Sequence, residues 1–204
     1  MNPTTPDPLA DQNRTSRASL PGSDDTLRKV LPNGLTILVR ENFASPAVVI
    51  NGYVKAGALD ESPDQHGLAG FTGDVMQRGT HHRTFRQLYA DVESIGATFG
   101  LNTATTTSSF GAKGLAESLP LLLDVLADIL RHPSFPERQV EKVRAEILTD
   151  LQERRHDTRR MASLRFYELA YPETHPYHWS QLGYESTIGS ITRDDLLAFH
   201  EANV

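Results

Sequence analysis

The sequence predicts an α+β fold in which a mixed, largely antiparallel sheet is covered by helices on one face. Two observations favour this class. Short segments rich in β-branched residues are concentrated between residues 27 and 113, and from residue 118 onward apolar residues recur at helical spacing. Because most of the strands come first and most of the helices follow, we expect the helices to pack on a sheet formed early in the chain.

The strands are predicted from alternation and from turn residues. Residues 27–39 alternate around Pro32-Asn33-Gly34, and Asn-Gly supplies the positive φ of a tight hairpin turn. Residues 48–54 form a β-rich run that ends before Ala56-Gly57. Two further strands are expected at residues 97–102 and 104–113, and the second is rich in Thr and Ser.

The helices are predicted from apolar periodicity and from capping residues. Thr84 is expected to cap a helix whose end is marked by Gly96, and Pro136 fits the first turn of a long helix. Thr192, three residues before Asp195, has the capping signature of the last helix. Predicted helices therefore cover residues 68–78, 84–96, 118–130, 136–151 and 158–170, with a final one from residue 192.

The first 26 residues differ from the rest in composition. They include four prolines and few apolar residues, so they cannot bury enough surface to offset the entropy of ordering them. We therefore expect residues 1–26 to be a disordered tail or interdomain linker, and residues 27–204 to form one module.

The composition excludes several classes of site and partner. The chain has no cysteine, so a metal would need histidine and carboxylate ligands. A formal net charge of −6 argues against a nucleic-acid partner. No apolar run approaches the roughly 20 residues that span a bilayer, and no signal-peptide pattern opens the sequence. We therefore expect a soluble chain without a membrane span, whose compartment the sequence leaves open.

Common catalytic motifs are missing from the sequence. It has neither a phosphate-binding Gly-x-x-x-x-Gly-Lys-Ser/Thr loop nor a Gly-x-Ser-x-Gly nucleophile elbow. His175 and His178 have zinc-like spacing, but we interpret them as part of a proline-containing loop, and His81-His82 as a solvated turn. The Thr-rich residues 103–109 have two interpretations, an exposed strand or an open edge that adds an extended peptide.

One segment resembles a family signature. Residues 67–80 read Gly-Leu-Ala-Gly-Phe-Thr-Gly-Asp-Val-Met-Gln-Arg-Gly-Thr, which is similar to the signature helix of the insulinase/pitrilysin family of zinc peptidases, with its inverted motif His-x-x-Glu-His. The family pattern continues in order through residues 31–39, 54–58, 95–99, 122–135, 175–177 and 188–200. The resemblance covers nearly all of residues 27–204 and implies the metallohydrolase fold of LuxS and the processing peptidases.

The catalytic positions of that motif do not match. Gly70 stands in place of the first zinc histidine, Gly73 in place of the glutamate general base, and Asp74 in place of the second histidine. The third ligand corresponds to Glu146 or to Asp150, depending on the register of the long helix. This set has no imidazole, whereas catalytic zinc needs three protein ligands including histidine. The resemblance therefore implies an inactive module with no metal and no catalytic residue.

The resemblance also implies partners. Members of the family pair modules around a closed chamber, and often only one half bears zinc. We expect this chain to complete such a peptide chamber with a zinc-bearing half and with the following module, in the same chain or in a partner. Peptide is expected on an edge strand made of Ala104, Thr105, Thr106, Thr107, Ser108, Ser109 and Phe110.

Two other functions remain open. The chain could be a structural scaffold without peptide binding, like the core subunits of the respiratory cytochrome bc complex. It could also be an active metallopeptidase with altered ligands. Fold resemblance alone does not decide between these functions, because one fold hosts many sites.

Overall fold

A computed structural model describes residues 22–204, and the chain divides into two compact units, Met1–Pro46 and Ala47–Val204. Most of the predicted tail or linker, residues 1–21, lies outside the described residues. The last residues of that segment include a single 3₁₀ turn, Ser23–Asp25.

The first unit contains the predicted hairpin. Strands β1 (Leu27–Val30) and β2 (Thr36–Val39) pair antiparallel, from Leu27 opposite Val39 to Val30 opposite Thr36. The turn between them places Gly34 at φ +87°, a left-handed conformation that favours glycine. The Asn-Gly signal in the sequence is therefore confirmed.

The second unit is built on a three-stranded antiparallel sheet. Its strands are β3 (Ala47–Val54), β4 (Thr98–Thr103) and β5 (Ser108–Leu115), in the order β3-β5-β4. The predicted α+β class with antiparallel pairing is confirmed. Because β5 lies between the other two strands, the edges of this sheet are β3 and β4.

This order corrects the predicted peptide-binding edge. Residues 104–107 form the turn between β4 and β5, in which the Ala104 N–H donates to the Thr107 carbonyl at 2.9 Å. The following residues pair with strands on both sides, so that Ser108 lies opposite both Val54 and Thr103. Neither part of residues 104–110 is an open edge. Alternation and β-propensity predict a strand, but they do not distinguish a central strand from an edge strand.

The helices follow the predicted pattern, with ends shifted by a few residues. Two predicted caps are confirmed, because Thr84 and Thr192 each accept a backbone N–H from the first turn of their helix. Asp157 caps α5 in the same way, which was not predicted. One short helix, α6, was not predicted. The helices are α1 (Leu68–Met76), α2 (Phe85–Glu93), α3 (Leu119–Arg131), α4 (Glu137–Arg154), α5 (Thr158–Ala170), α6 (Glu185–Ser190) and α7 (Arg193–Asn203).

The core of the second unit lies on one face of the sheet. Along β3, Val48 and Ile50 pack against buried residues, whereas Val49 and Tyr53 are 58% and 66% exposed. Helix α1 contacts β4 and helix α3 contacts β5. Side-chain alternation therefore buries one face beneath helices. No helix within residues 22–204 is long and apolar enough to cross a membrane.

Candidate functional site

Helix α1 carries the signature segment, and a glutamate holds its N-terminal end. The N-cap residue Gly67 has φ +97° and no side chain to accept the free N–H groups of the first turn. The Glu61 carboxylate accepts these hydrogen bonds instead, from Gly67 N–H at 3.1 Å and from Ala69 N–H at 2.8 Å. Because the Glu61 side chain is only 1% exposed, a buried carboxylate fixes the start of α1.

Two titratable groups meet at this end of α1. Burial raises the pKa of Glu61 to about 7, against the opposing effect of the two N–H groups. His66 Nδ1 lies 3.7 Å from Glu61 Oε2, and the imidazole stacks on Trp179 with centroids 4.6 Å apart. Desolvation lowers the pKa of His66. The surroundings therefore push both groups toward their neutral forms.

The middle of α1 presents backbone where the family motif has reacting side chains. A Cβ added to Gly70 would lie 3.6 Å from the carbonyl oxygen of Gln181, an ordinary contact. A Cβ added to Gly73 would lie only 2.6 Å from Thr103 Oγ1 on β4. The helix therefore packs closely against β4 at the position of the general base, and a side chain there would require the Thr103 hydroxyl to move.

Asp74 is the one ionisable group among the three motif positions, and it belongs to a charged surface cluster. It remains exposed to solvent, but the protein around it raises its pKa, mainly by desolvation and further through Glu146, while Arg78 opposes the shift. The Arg78 guanidinium is 2.8 Å from Glu146 Oε2, and Lys142 Nζ is 3.8 Å from Glu146 Oε1. The first candidate third ligand, Glu146, is thus already paired with cations.

The second candidate third ligand, Asp150, is paired more completely. Arg160 donates to both of its oxygens, at 2.7 and 2.8 Å, in a bidentate pair. These hydrogen bonds lower the pKa of Asp150 and keep it ionised. Each carboxylate on this face of α4 therefore has an arginine as its counter-ion.

The edge of the sheet beside α1 is β4, and Gln77 covers part of it. Every second residue of an antiparallel edge strand turns its N–H and C=O away from the neighbouring strand. Leu101 is such a residue, because Gln77 Oε1 accepts from its N–H at 3.1 Å and Gln77 Nε2 donates to its carbonyl at 3.4 Å. The Gln77 amide therefore pairs with β4 as the backbone of another strand would.

The family is decided by comparison with known proteins. The family profile described as Insulinase (Peptidase family M16) matches residues 36–176. The chain belongs to the insulinase family. It is 31% identical over 172 residues to a probable mitochondrial-processing peptidase subunit beta of Arabidopsis thaliana, covering 84% of this chain and 32% of that protein. An uncharacterized zinc protease of Rickettsia bellii is 29% identical over 169 residues, covering 83% of this chain and 41% of that protein.

A solved insulinase-family structure has the same fold. The peptidase M16 inactive domain from Pseudomonas fluorescens superimposes with a TM-score of 0.81 at 21% identity, covering 86% of this chain and 43% of that one. The predicted family and fold class are thereby confirmed. The chain spans about a third to two fifths of the length of these relatives.

The residues present at the insulinase-family zinc positions do not fit a catalytic zinc ion. Gly70 supplies no donor at the first histidine position, and the carboxylates at the other ligand positions have arginine neighbours or partners. Within residues 22–204, no three His, Asp or Glu side chains are grouped to hold a metal ion. A zinc site with an open position for water needs at least three such ligands.

Sequence reasoning missed a second polar cluster in this insulinase-family module, on α3. Asp128 is 5% exposed and accepts hydrogen bonds from Thr80 at 2.7 Å and from Arg83 at 2.8 Å, with His82 Nδ1 at 2.6 Å. Burial opposes ionisation, but these hydrogen bonds outweigh it and lower the pKa of Asp128. His82 lies in an exposed turn, as expected, and its side chain is 63% exposed, but its Nδ1 also contacts this buried carboxylate. The available signal was an aspartate on the buried stripe of an apolar helix.

Proposed function

We propose that this chain is a non-catalytic insulinase-family module that completes a peptide chamber together with a zinc-bearing module. One observation carries the proposal: at the position of the general base, α1 has a glycine, and a side chain there would meet the Thr103 hydroxyl. A positioned general base alone contributes roughly 10²- to 10⁴-fold to a rate. The module keeps the family fold without the group that would activate water.

The partner is a zinc-bearing module in the same polypeptide or in another chain. The relatives in Arabidopsis and Rickettsia are longer than this chain, which covers 32% and 41% of them. Their length leaves room for further modules, and a module following this one would complete the half. Zinc belongs to the active half, and the present module supplies a wall of the chamber.

Peptide binding is proposed at the edge of β4. No other strand among the described residues pairs with the outer side of β4, and β4 lies against α1 through Thr103. An extended peptide can add to such an edge through main-chain hydrogen bonds. The outward groups of β4 are those of Leu101 and, by alternation, of Phe99 and Thr103.

A scaffold function is the second candidate, and Gln77 favours it. Its amide already occupies both outward groups of Leu101, in the middle of β4. A peptide must displace this side chain before it can pair along the whole strand. If the displacement is too costly, the module closes the chamber without holding the substrate.

Hydrogen exchange with an added peptide separates the two functions. The probe is an extended peptide of roughly ten residues with alternating Thr and Val and terminal lysines, because the chain is acidic. Peptide holding predicts slower exchange at Phe99, Leu101 and Thr103, with tighter binding by Gln77→Ala. The matched control is Gln152→Ala, an exposed glutamine on α4. No protection in either protein at saturating peptide would support the scaffold.

The non-catalytic part of the proposal has its own test. The purified chain is expected to bind no stoichiometric zinc and to cleave no unfolded protein substrate. Metal analysis after dialysis and a peptidase assay with added zinc measure both. Activity that depends on zinc and is lost in Asp74→Ala would overturn the proposal, and would identify an active metallopeptidase with altered ligands.

A further inference from the structure

A cavity lies apart from the motif positions of α1. It has a volume of about 700 Å³ and lies between α5 and the segment that includes the 3₁₀ turn Pro176–His178. Two arginines and four aromatic side chains dominate its lining, and no carboxylate lines it. These six residues are Arg154, Arg160, Tyr167, Tyr171, Tyr177 and Trp179.

Arg154 brings to this cavity a positive charge that has no direct ion pair among the described residues. Within the described residues, its guanidinium has one hydrogen-bond acceptor, Ser180 Oγ at 2.7 Å, and no carboxylate within salt-bridge distance. The nearby carboxylates have other partners, since Asp150 is bound by Arg160 and Glu168 by Arg165. A guanidinium has five N–H donors, so most of those of Arg154 remain for a ligand.

The surroundings of Arg154 disfavour its charged form, so a bound anion would stabilise it. Burial lowers the pKa of Arg154, and like-charge repulsion from Arg160 adds to this effect, while Tyr184, Asp150 and Glu168 oppose it without outweighing it. A half-buried guanidinium is stabilised most by a planar anion that accepts two parallel hydrogen bonds, and a carboxylate has that geometry.

The aromatic side chains form a wall next to this charge. Tyr167 and Tyr171 stack with centroids 6.1 Å apart, and Tyr177 meets Tyr171 edge-on at 5.6 Å. Tyr167 and Tyr177 nevertheless remain 44% and 42% exposed. Trp179 is fixed in place, because its indole N–H donates to the Glu173 carbonyl at 2.9 Å. An aromatic or bulky apolar group of a ligand would cover this wall.

We propose that the cavity binds a carboxylate attached to an aromatic or bulky apolar residue, as at the C-terminus of a peptide. Arg154 binds the carboxylate, and the tyrosines and Trp179 enclose the side chain. The choice of a peptide rests on the proposed function, whereas the carboxylate chemistry rests on the cavity alone. An acidic side chain beside an aromatic residue within a peptide presents the same chemistry.

Trp179 reports on the cavity, because it is the only tryptophan in the sequence. The probes are acetyl-Gly-Gly-Phe as the free acid, the same peptide as its amide, and acetyl-Gly-Glu-Phe-Gly amide. None of them contains tryptophan, so a saturable change in emission from the 204-residue chain measures binding. We expect the free acid to bind at least about 10-fold more tightly than its amide. Tight binding of the internal glutamate probe as well would assign the pocket to carboxylates generally.

A variant tests the role of Arg154. Arg154→Met should reduce the preference for the acid to less than about 2-fold, while Arg154→Lys retains part of it. The matched control is Arg159→Met, an exposed arginine on α5 that does not line the cavity. If Arg154→Met fails to fold, the acid–amide comparison in the unaltered chain still decides.

Equal binding of acid and amide, or no response of Trp179 to millimolar acid, would overturn the proposal. This result is distinguishable from failure of the proposed function, because that test measures exchange at β4 and not Trp179 emission. Protection of β4 without a Trp179 response would retain peptide holding and remove the carboxylate pocket.

Discussion

The residues of α1 that pack in the core and the residues at its motif positions have different roles. On the inward side, Phe71 and Val75 are 1% and 0% exposed, and the buried Glu61 carboxylate fixes the start of the helix. At the motif positions, Gly70 and the buried Gly73 offer no chemical group, and Asp74 faces solvent. Packing and capping therefore stabilise the helix in the core, whereas its motif positions lack the zinc ligands and the general base.

A single helix therefore keeps the residues that stabilise the fold and lacks the residues that would perform catalysis. Packing and capping require the inward residues whether or not the module cleaves peptides. Of the three motif positions, only Asp74 is exposed, and it has Arg78 as a charged neighbour. Gly73 is buried against β4, so at this position packing acts on the motif itself.

The largest effect is expected from Phe71 compared with Asp74. Phe71→Ala should lower the free energy of unfolding by about 3–5 kcal/mol, because it leaves a cavity in the core. Asp74→Ala should change it by less than about 1 kcal/mol, because the side chain is exposed and makes no salt bridge. Urea denaturation of both variants measures the contrast. Comparable losses would show that Asp74 supports the fold.

The sequence was sufficient for the parts of the fold that depend on local pattern. The hairpin turn at Gly34, the caps at Thr84 and Thr192 and the apolar stripe of α4 each depend on a few neighbouring residues. The loss of a zinc ligand and of the general base was also predictable from the sequence, because Gly70 and Gly73 have no side chain. The family resemblance was needed to identify these positions as those of the catalytic motif.

The parts that the sequence did not predict depend on residues distant along the chain. The order β3-β5-β4 makes Ser108 central, which alternation within residues 104–110 does not reveal. Glu61 caps α1 from outside the helix, and Gln77 covers Leu101, 24 residues away. Such contacts depend on tertiary packing, so local sequence patterns do not predict them.

A smaller effect is expected from the pH dependence that Glu61 creates. Its pKa rises from an ordinary value of 4.5 to about 7 in the folded chain. The folded state therefore holds the proton more tightly than the unfolded chain. The stabilisation that results is complete below about pH 4.5 and is lost as the pH rises toward and through 7.

Glu61→Gln measures this contribution. Between pH 5 and pH 8, the unaltered chain should lose about 1–3 kcal/mol of unfolding free energy more than the variant does. Urea denaturation at both values gives the two differences. Glu117→Gln, at an exposed position, is the matched control and should leave the pH dependence unchanged. Parallel pH profiles for Glu61→Gln and the unaltered chain would exclude a buried, proton-binding Glu61.

The smallest and most specific effect compares the two glycines of α1. Gly70→Ala should stabilise the chain by up to about 1 kcal/mol, because alanine is the better helix former and the new Cβ meets only an ordinary contact. Gly73→Ala should instead destabilise it by about 1–2 kcal/mol, because the new Cβ would lie 2.6 Å from Thr103 Oγ1.

A double-mutant cycle assigns that difference to the contact with β4. Thr103→Ala removes the hydroxyl and leaves its Cβ 3.8 Å from the position of the added methyl group. Gly73→Ala should then become neutral or stabilising, with a coupling energy of about 1–2 kcal/mol between the two sites. Thermal or urea unfolding of the four proteins provides the measurement. Additive effects would mean that α1 and β4 leave more space at the general-base position, and the absence of a glutamate there would no longer follow from packing.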